Sequence, residues 1–188
     1  HRMHNKSWIA DGRIAIVGGR NVGEEYFSAR PDVNFRDLDL LVAGPAVQEA
    51  NQVFDDFWNS DAAVPIGALA FHTPAQLRLL MRESEHEAQL ESAEPYLREV
   101  AASRGRAQAS AAPLHWSGEV HILSDPPMKH RRDDRQGWLV THIGRMFTAT
   151  GHKALLMSPY FVPGDEGLRA LQGMRARGVQ VGVVTNSL

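Results

Sequence analysis

The chain has 188 residues, 43% of them hydrophobic, and a formal net charge of −2. That is enough for one ordinary domain with a core, and the charge balance argues against a polyanionic partner such as nucleic acid. There is no cysteine, which excludes disulfide staples, thiolate metal sites and a cysteine nucleophile; no apolar run approaches the roughly 20 residues that a bilayer-spanning helix needs.

In chain order, His4 to Ala10 reads as a short strand and Arg13 to Val17 as a second. Asp11-Gly12 between them is a strong hairpin signal. Asn21 followed by Glu24 has capping-box spacing and predicts a short helix. Leu38 to Val42 is a third strand, broken by Gly44-Pro45, and Ala46 to Trp58 predicts an amphipathic helix with Val47, Val53, Phe54, Phe57 and Trp58 as its apolar positions. Residues 60–75 read as loop, and Gln76 to Ala102 as helix with a break near Pro95.

Ser103 to Gly137 is the least organised stretch. Trp138 to Thr148 returns to helical spacing; Ala154 to Met157 reads as a strand, Asp165 to Arg177 as a helix and Val179 to Val184 as a strand. Gly178 stands where a helix C-cap glycine belongs. A strand–helix–strand unit implies a parallel crossover. The expected class is therefore α/β, a mixed β-sheet flanked by helices, in a single domain over residues 1–188. The chain opens on His1 and stops just after a strand-like run, so the domain is expected to be incomplete at both ends.

The segment that carries chemistry is His4-Asn5-Lys6-Ser7-Trp8-Ile9-Ala10-Asp11, followed by Gly18-Gly19-Arg20-Asn21. Residues i and i+2 of a strand share a face, so His4 and Lys6 are expected to project together, with Trp8 read as turned away into the core. An imidazole beside an ammonium suits attack on a phosphate ester: a neutral imidazole nitrogen displaces an alcohol from phosphorus and leaves a phosphohistidine. Lys6 would neutralise phosphate oxygens, and Asn21 would donate amide protons to them. Asp11 is read both as the turn residue and as a support for the site.

His-x-Lys, four residues, Asp, six residues, Gly-Gly, one residue, Asn is matched by His4, Lys6, Asp11, Gly18, Gly19 and Asn21. On these residues the chain resembles the phospholipase D superfamily. Asp37-Leu38-Asp39 with Gly44-Pro45, Ser158-Pro159-Tyr160-Phe161-Val162-Pro163, and Arg177-Gly178-Val179 with Thr185-Asn186-Ser187-Leu188 extend the likeness to cardiolipin synthases. His1-Arg2-Met3-His4-Asn5-Lys6 with Val17-Gly18-Gly19-Arg20-Asn21 resembles the bacterial cardiolipin synthase C type. The likeness is weak from about Ser60 to Gly137.

The resemblance implies a phosphatidyltransferase that needs no cofactor or metal. It implies two facing motifs, one histidine attacking and the other protonating the leaving alcohol and then activating the acceptor. His4, Lys6, Asp11 and Asn21 would be catalytic, and Gly19, Tyr160 and Phe161 would meet substrate. The substrates would be phospholipids, phosphatidylglycerol or a relative of it, and the enzyme would act peripherally on the cytoplasmic face of the bacterial inner membrane. No second His-x-Lys-x4-Asp occurs in the chain: His130 is followed by Arg131-Arg132 and His152 by Lys153-Ala154. The second half is therefore expected from elsewhere in the parent chain or from a homodimer, and the isolated chain is expected to be inactive.

Other features have plainer readings. Gly18-Gly19-Arg20-Asn21-Val22-Gly23 lacks the glycine at position 20 that a dinucleotide fingerprint wants. Lys129 to Arg132 could meet lipid head groups, but Asp133-Asp134 follows and favours a solvated loop. His72, His86, His115, His121, His142 and His152 show no metal spacing. Trp116 and Trp138 are candidates for a lipid interface. The alternatives to the transferase are a single-motif, homodimeric nuclease of the same superfamily and a non-catalytic membrane-binding fragment.

Overall fold

In the computed structural model, residues 3–27, 29–30, 32–109, 115–131 and 135–186 are described. His1, Arg2, Arg132, Asp133, Asp134, Ser187 and Leu188, which the sequence reading used, lie outside the described residues. By packing, the chain divides into two compact units, one of His1–Gln48 with Ala63–His121 and the other of Glu49–Ala62 with Ile122–Leu188.

In the first unit, β1 (Lys6–Ala10), β2 (Ile14–Gly18) and β3 (Asp39–Ala43) form an antiparallel sheet in the order β1-β2-β3. Asp11 and Gly12 both have positive φ, 52° and 61°, and the Arg13 N–H donates to the Ala10 carbonyl at 3.0 Å. This closes the hairpin where Asp-Gly predicts it. The register pairs Lys6 with Gly18 and Gly18 with Asp39. β1 starts two residues later than the reading from His4, because β2 ends at Gly18, opposite Lys6. Ala15, Ala46 and Val47 are the buried apolar residues of this unit.

Gly44 (φ 85°) turns the chain into α1 (Ala46–Trp58), whose bounds coincide with the prediction. The predicted loop over 60–75 contains a short helix, α2 (Ile66–Leu69), and the start of α3 (Pro74–Ala88). α3 begins early because Thr73 and Gln76 form a reciprocal capping box with Pro74 in the first turn, a signal the reading passed over. A 3₁₀ turn (Glu91–Ala93) separates it from α4 (Glu94–Ala109), so the break precedes Pro95, which a helix accepts in its first turn. α4 also takes in residues 103–109, read as unorganised.

In the second unit, α5 (Leu139–Ala149) leads to β4 (Lys153–Met157), α6 (Gly164–Ala176) and β5 (Gln180–Val184). β4 and β5 pair in parallel, as the strand–helix–strand reading requires. α6 carries Asp165 and Glu166 in its first turn and Arg175 in its last, charges that complement the helix dipole. Gly178 (φ 86°) ends it in the left-handed region. Met174 and Val179 are buried. Arg177 Nη2 donates to the Phe147 carbonyl at 2.8 Å, tying the end of α6 to α5.

The 129–131 segment forms a 3₁₀ turn in which Lys129 is part-exposed and Arg131 exposed. Lys129 Nζ donates to Asp125 at 2.6 Å, and the Trp138 ring lies 5.2 Å from both Lys129 Nζ and the Arg135 guanidinium carbon. Asp125 also accepts from the Leu139 N–H at 3.0 Å. These contacts commit Trp138 to the fold, whereas Trp116 is almost fully exposed. The α/β class holds: small sheets with helices beside them, the antiparallel ladder in one unit and the parallel ladder in the other.

Met174 is the largest fully enclosed side chain of the second unit. Met174→Ala is expected to lower stability by roughly 2–5 kcal/mol, read from urea denaturation. A loss under about 1 kcal/mol would mean that the site collapses without cost and is not the core.

Candidate active site

The antiparallel register decides which residues meet. β1 enters at Lys6 and β2 leaves at Gly18, directly opposite, so His4-Asn5-Lys6 and the Gly19-Arg20-Asn21 loop share one end of the sheet. Asp11 sits at the other end. Five residues of strand at about 3.3 Å each put it roughly 16 Å from Lys6, so within this hairpin its place is the turn.

His4 is exposed and Lys6 half-buried. Lys6 Nζ lies 3.2 Å from His4 Nδ1 and donates to the His4 carbonyl at 2.7 Å. The expected pairing of imidazole and ammonium is therefore present. An ammonium has only donors, so Lys6 offers a proton to Nδ1. The contact engages the Nδ1 nitrogen of the ring and not Nε2.

Close approach of backbone requires glycine at position 18, and the Asp37 side chain crowds position 19. A Cβ on Gly18 would stand 2.6 Å from the Leu38 carbonyl oxygen and 2.8 Å from Asp39 Cα; one on Gly19 would stand 2.5 Å from an Asp37 carboxylate oxygen. The Gly-Gly pair thus lets the loop press against β3 and the two aspartates. Arg20 locks it there. Its Nε donates to Asp39 at 2.6 Å, its Nη1 to the Tyr26 carbonyl and its Nη2 to the Asp37 carbonyl at 3.5 Å. Its guanidinium also lies over the Phe27 ring, 5.6 Å from the centroid. The Arg20–Asp39 pair is about three-quarters enclosed, with side-chain exposures of 30% and 26%.

Asn21 departs from its predicted local role. The following turn is 3₁₀, Glu24–Tyr26, capped by Gly23 without any side-chain bond. Asn21 Nδ2 instead donates to the Tyr26 hydroxyl at 2.9 Å, and Tyr26 is held edge-on by Phe35 with centroids 5.3 Å apart. Sequence reasoning missed Tyr26, Arg20 and the Asp37/Asp39 pair as parts of the site. The signal was Asp-x-Asp, whose period of two aims both carboxylates at the same loop.

Trp8 corrects another reading. Two residues on from Lys6 along β1, it shares the Lys6 face and is 72% exposed, so it is not core. Tyr160 and Phe161 belong to the second unit, in the loop after β4; Tyr160 is 83% exposed and Phe161 half-buried. The shifted titrations lie outside the hairpin: the Arg30 guanidinium donates to Asp32, at 3.0 and 2.5 Å, which holds that carboxyl below the usual carboxylate range and raises Arg30. Among the described residues no three His, Asp or Glu side chains converge as metal ligands.

Comparison with known proteins gives consistent relatives. The chain is similar to Cardiolipin synthase C of Escherichia coli (strain K12), 30% identical over 192 aligned positions that cover 100% of this chain and 40% of that protein. It is 28% identical to Cardiolipin synthase 2 of Bacillus anthracis and 26% identical to Cardiolipin synthase 2 of Bacillus cereus, each match covering 96% of this chain and 28% of the relative. The chain thus spans about two-fifths of the Escherichia coli protein's length and less of the Bacillus ones. No family model matches, and no solved structure matches. At a coarse level the relatives make this a chain related to phospholipid-synthesising transferases.

Gly18→Ala is expected to cost about 1–3 kcal/mol, because its Cβ would meet backbone atoms that cannot move aside as a side chain can. Thermal melting of the variant checks this. An unchanged midpoint would mean that the loop does not press on β3.

Proposed function

We propose that this chain supplies one catalytic half-site of a phospholipase D-type phosphatidyltransferase, a cardiolipin synthase, with His4 as the nucleophile. One observation carries the reading: Lys6 Nζ stands 3.2 Å from His4 Nδ1 at the end of the sheet where the Gly18–Asn21 loop leaves it. Similarity to cardiolipin synthases over the whole chain supports it.

A phosphatidyl phosphodiester enters with its phosphoryl oxygens toward Lys6, drawing the ammonium off His4. The freed imidazole, in the tautomer that carries its proton on Nδ1, attacks phosphorus through Nε2. A P–N bond forms and the P–O bond to the head-group alcohol breaks; the alcohol leaves with a proton from a general acid. An acceptor hydroxyl then gives its proton to the same group, attacks phosphorus and breaks the P–N bond, which restores His4. With phosphatidylglycerol as both donor and acceptor, the products are cardiolipin and glycerol.

Lys6 balances charge on the phosphoryl oxygens, and Asn21, oriented by Tyr26, donates a further hydrogen bond there. Asp11 shapes the turn that sets the register, and Gly19 leaves room beside the phosphate. Tyr160 and Phe161 contribute apolar surface to the lipid. The general acid, and the acceptor that His4 Nδ1–H needs, come from a second His-x-Lys half, in the same parent chain or a second copy. Among the described residues no helix is long and apolar enough to cross a membrane, which is compatible with peripheral action on the inner membrane's cytoplasmic face.

The test uses the protein that carries this chain, incubated with phosphatidylglycerol vesicles. The native protein is expected to form cardiolipin, His4→Ala none, and Lys6→Ala about 10²–10³-fold less, the loss typical of one charge-stabilising donor. Cardiolipin formation by His4→Ala at the native rate would overturn the assignment of His4. DNA cleavage without new lipid would replace the transferase by a nuclease.

A further inference from the structure

We infer that Arg20 is a positioning residue for the half-site: by occupying the Asp39 carboxylate, it keeps Lys6 on His4 and off Asp39. Lys6, Gly18 and Asp39 form one row across the three strands, Lys6 paired with Gly18 and Gly18 with Asp39. Residues paired directly across antiparallel strands point to the same side of the sheet. The ammonium and the carboxylate therefore belong to one face, with a glycine between them. Both residues are half-buried. The carboxylate leans into that gap: a Cβ on Gly18 would collide with Asp39 Oδ1, so this oxygen lies where the side chain opposite Lys6 would begin. Opposed Cβ positions are about 5 Å apart, a distance that the flexible four-carbon stem of a lysine spans.

Two cations thus compete for one carboxylate. Arg20 Nε holds Asp39 Oδ2 at 2.6 Å, while Lys6 Nζ turns to His4 Nδ1 at 3.2 Å and to the His4 carbonyl at 2.7 Å. Without Arg20 the ammonium has reason to choose Asp39. A hydrogen bond to a carboxylate is roughly twice as strong as one to a neutral acceptor, and the Asp39 side chain is only 26% exposed, so salt screens it less than a surface charge. Arg20 resists the exchange because more than the ion pair holds it. Its Nη1 donates to the Tyr26 carbonyl and its Nη2 to the Asp37 carbonyl, and its guanidinium lies over the Phe27 ring. A planar fork of fixed donors fills these places together. Arg20 thereby acts on Lys6 through charge, in addition to shaping the loop. The inference rests on the proposed reaction only for the use to which the His4–Lys6 pair is put.

The contact is read by nuclear magnetic resonance on the 188-residue chain with nitrogen-15 in its histidine rings. The Nδ1 resonance of His4, identified by its loss in His4→Gln, is compared with that of Lys6→Met, which shows the imidazole without its ammonium. Arg20→Gln is expected to move the His4 signal to the Lys6→Met position, because Lys6 has crossed to Asp39. Arg20→Gln combined with Asp39→Asn is expected to return it to the native position, since the competing charge is gone even though the clamp is gone too. Arg20→Lys, which keeps a charge for Asp39 but not the bonds to both carbonyls, is expected to resemble the native chain, and it decides the matter if Arg20→Gln does not fold. A native signal in folded Arg20→Gln would overturn the inference. A displaced signal in the double variant or in Arg20→Lys would overturn it as well, because Arg20 would then serve the shape of the loop alone. In the protein that carries this chain, acting on phosphatidylglycerol vesicles, Arg20→Gln is expected to lower kcat roughly tenfold or more, and the double variant to recover most of that loss. If that protein makes no cardiolipin, the proposed reaction falls and the His4 signal still decides this inference. Cardiolipin formation with kcat and signal both unmoved in Arg20→Gln would remove this inference and leave the reaction.

Discussion

The candidate site depends on one pairing, Lys6 opposite Gly18 in the β1–β2 hairpin, continued to Asp39 on β3. The side-chain period of a strand is two, so a slip of one residue would carry Lys6 to the other face and separate it from the loop that follows Gly18. The turn at Asp11-Gly12 prevents that slip, because both residues hold positive φ that few side chains accept. A residue at the far end of the hairpin thereby governs the chemistry at the near end. Asp11 can be indispensable to the motif without touching a substrate.

Around this pairing the loop is built to be rigid. Gly18 has no side chain because the backbone of Leu38 and Asp39 occupies that space, and the Asp37 carboxylate lies against Gly19. Arg20 spends its donors on the Asp39 carboxylate and on the Tyr26 and Asp37 carbonyls, so it neutralises Asp39 rather than a ligand. Lys6 is held by contacts that a phosphate could replace, since its partners are an imidazole nitrogen and a backbone carbonyl. The division of labour follows from side-chain physics: a planar guanidinium with five fixed donors suits a permanent clamp, and a compact ammonium on a flexible stem suits a ligand that comes and goes.

Features encoded by local signals were legible in the sequence. Asp-Gly located the hairpin, apolar spacing delimited α1, and the strand–helix–strand order with Gly178 predicted the parallel pair β4–β5. The juxtaposition of His4 and Lys6 was legible for the same reason, as it needs only the strand period. What escaped was non-local or ambiguous. Asn21 with Glu24 satisfies the spacing of a capping box, but the Tyr26 hydroxyl takes the amide instead. The parity of Trp8 was misjudged, since it follows Lys6 by two and must share its face. Pro95 looked like an interruption and proved to be a first-turn residue, because a helix leaves those N–H groups free in any case. The Arg20 network joins residues up to 19 apart and has no local signature.

The central claim is that His4 bonds covalently to phosphorus. The direct measurement is to react the protein that carries this chain with phosphate-labelled phosphatidylglycerol, quench with alkali, and map the labelled peptide by mass spectrometry. The account predicts an acid-labile, alkali-stable phosphoramidate on the peptide that contains His4, absent from His4→Ala. Label on another residue, or lipid turnover with His4 unmodified at every time point, would contradict it.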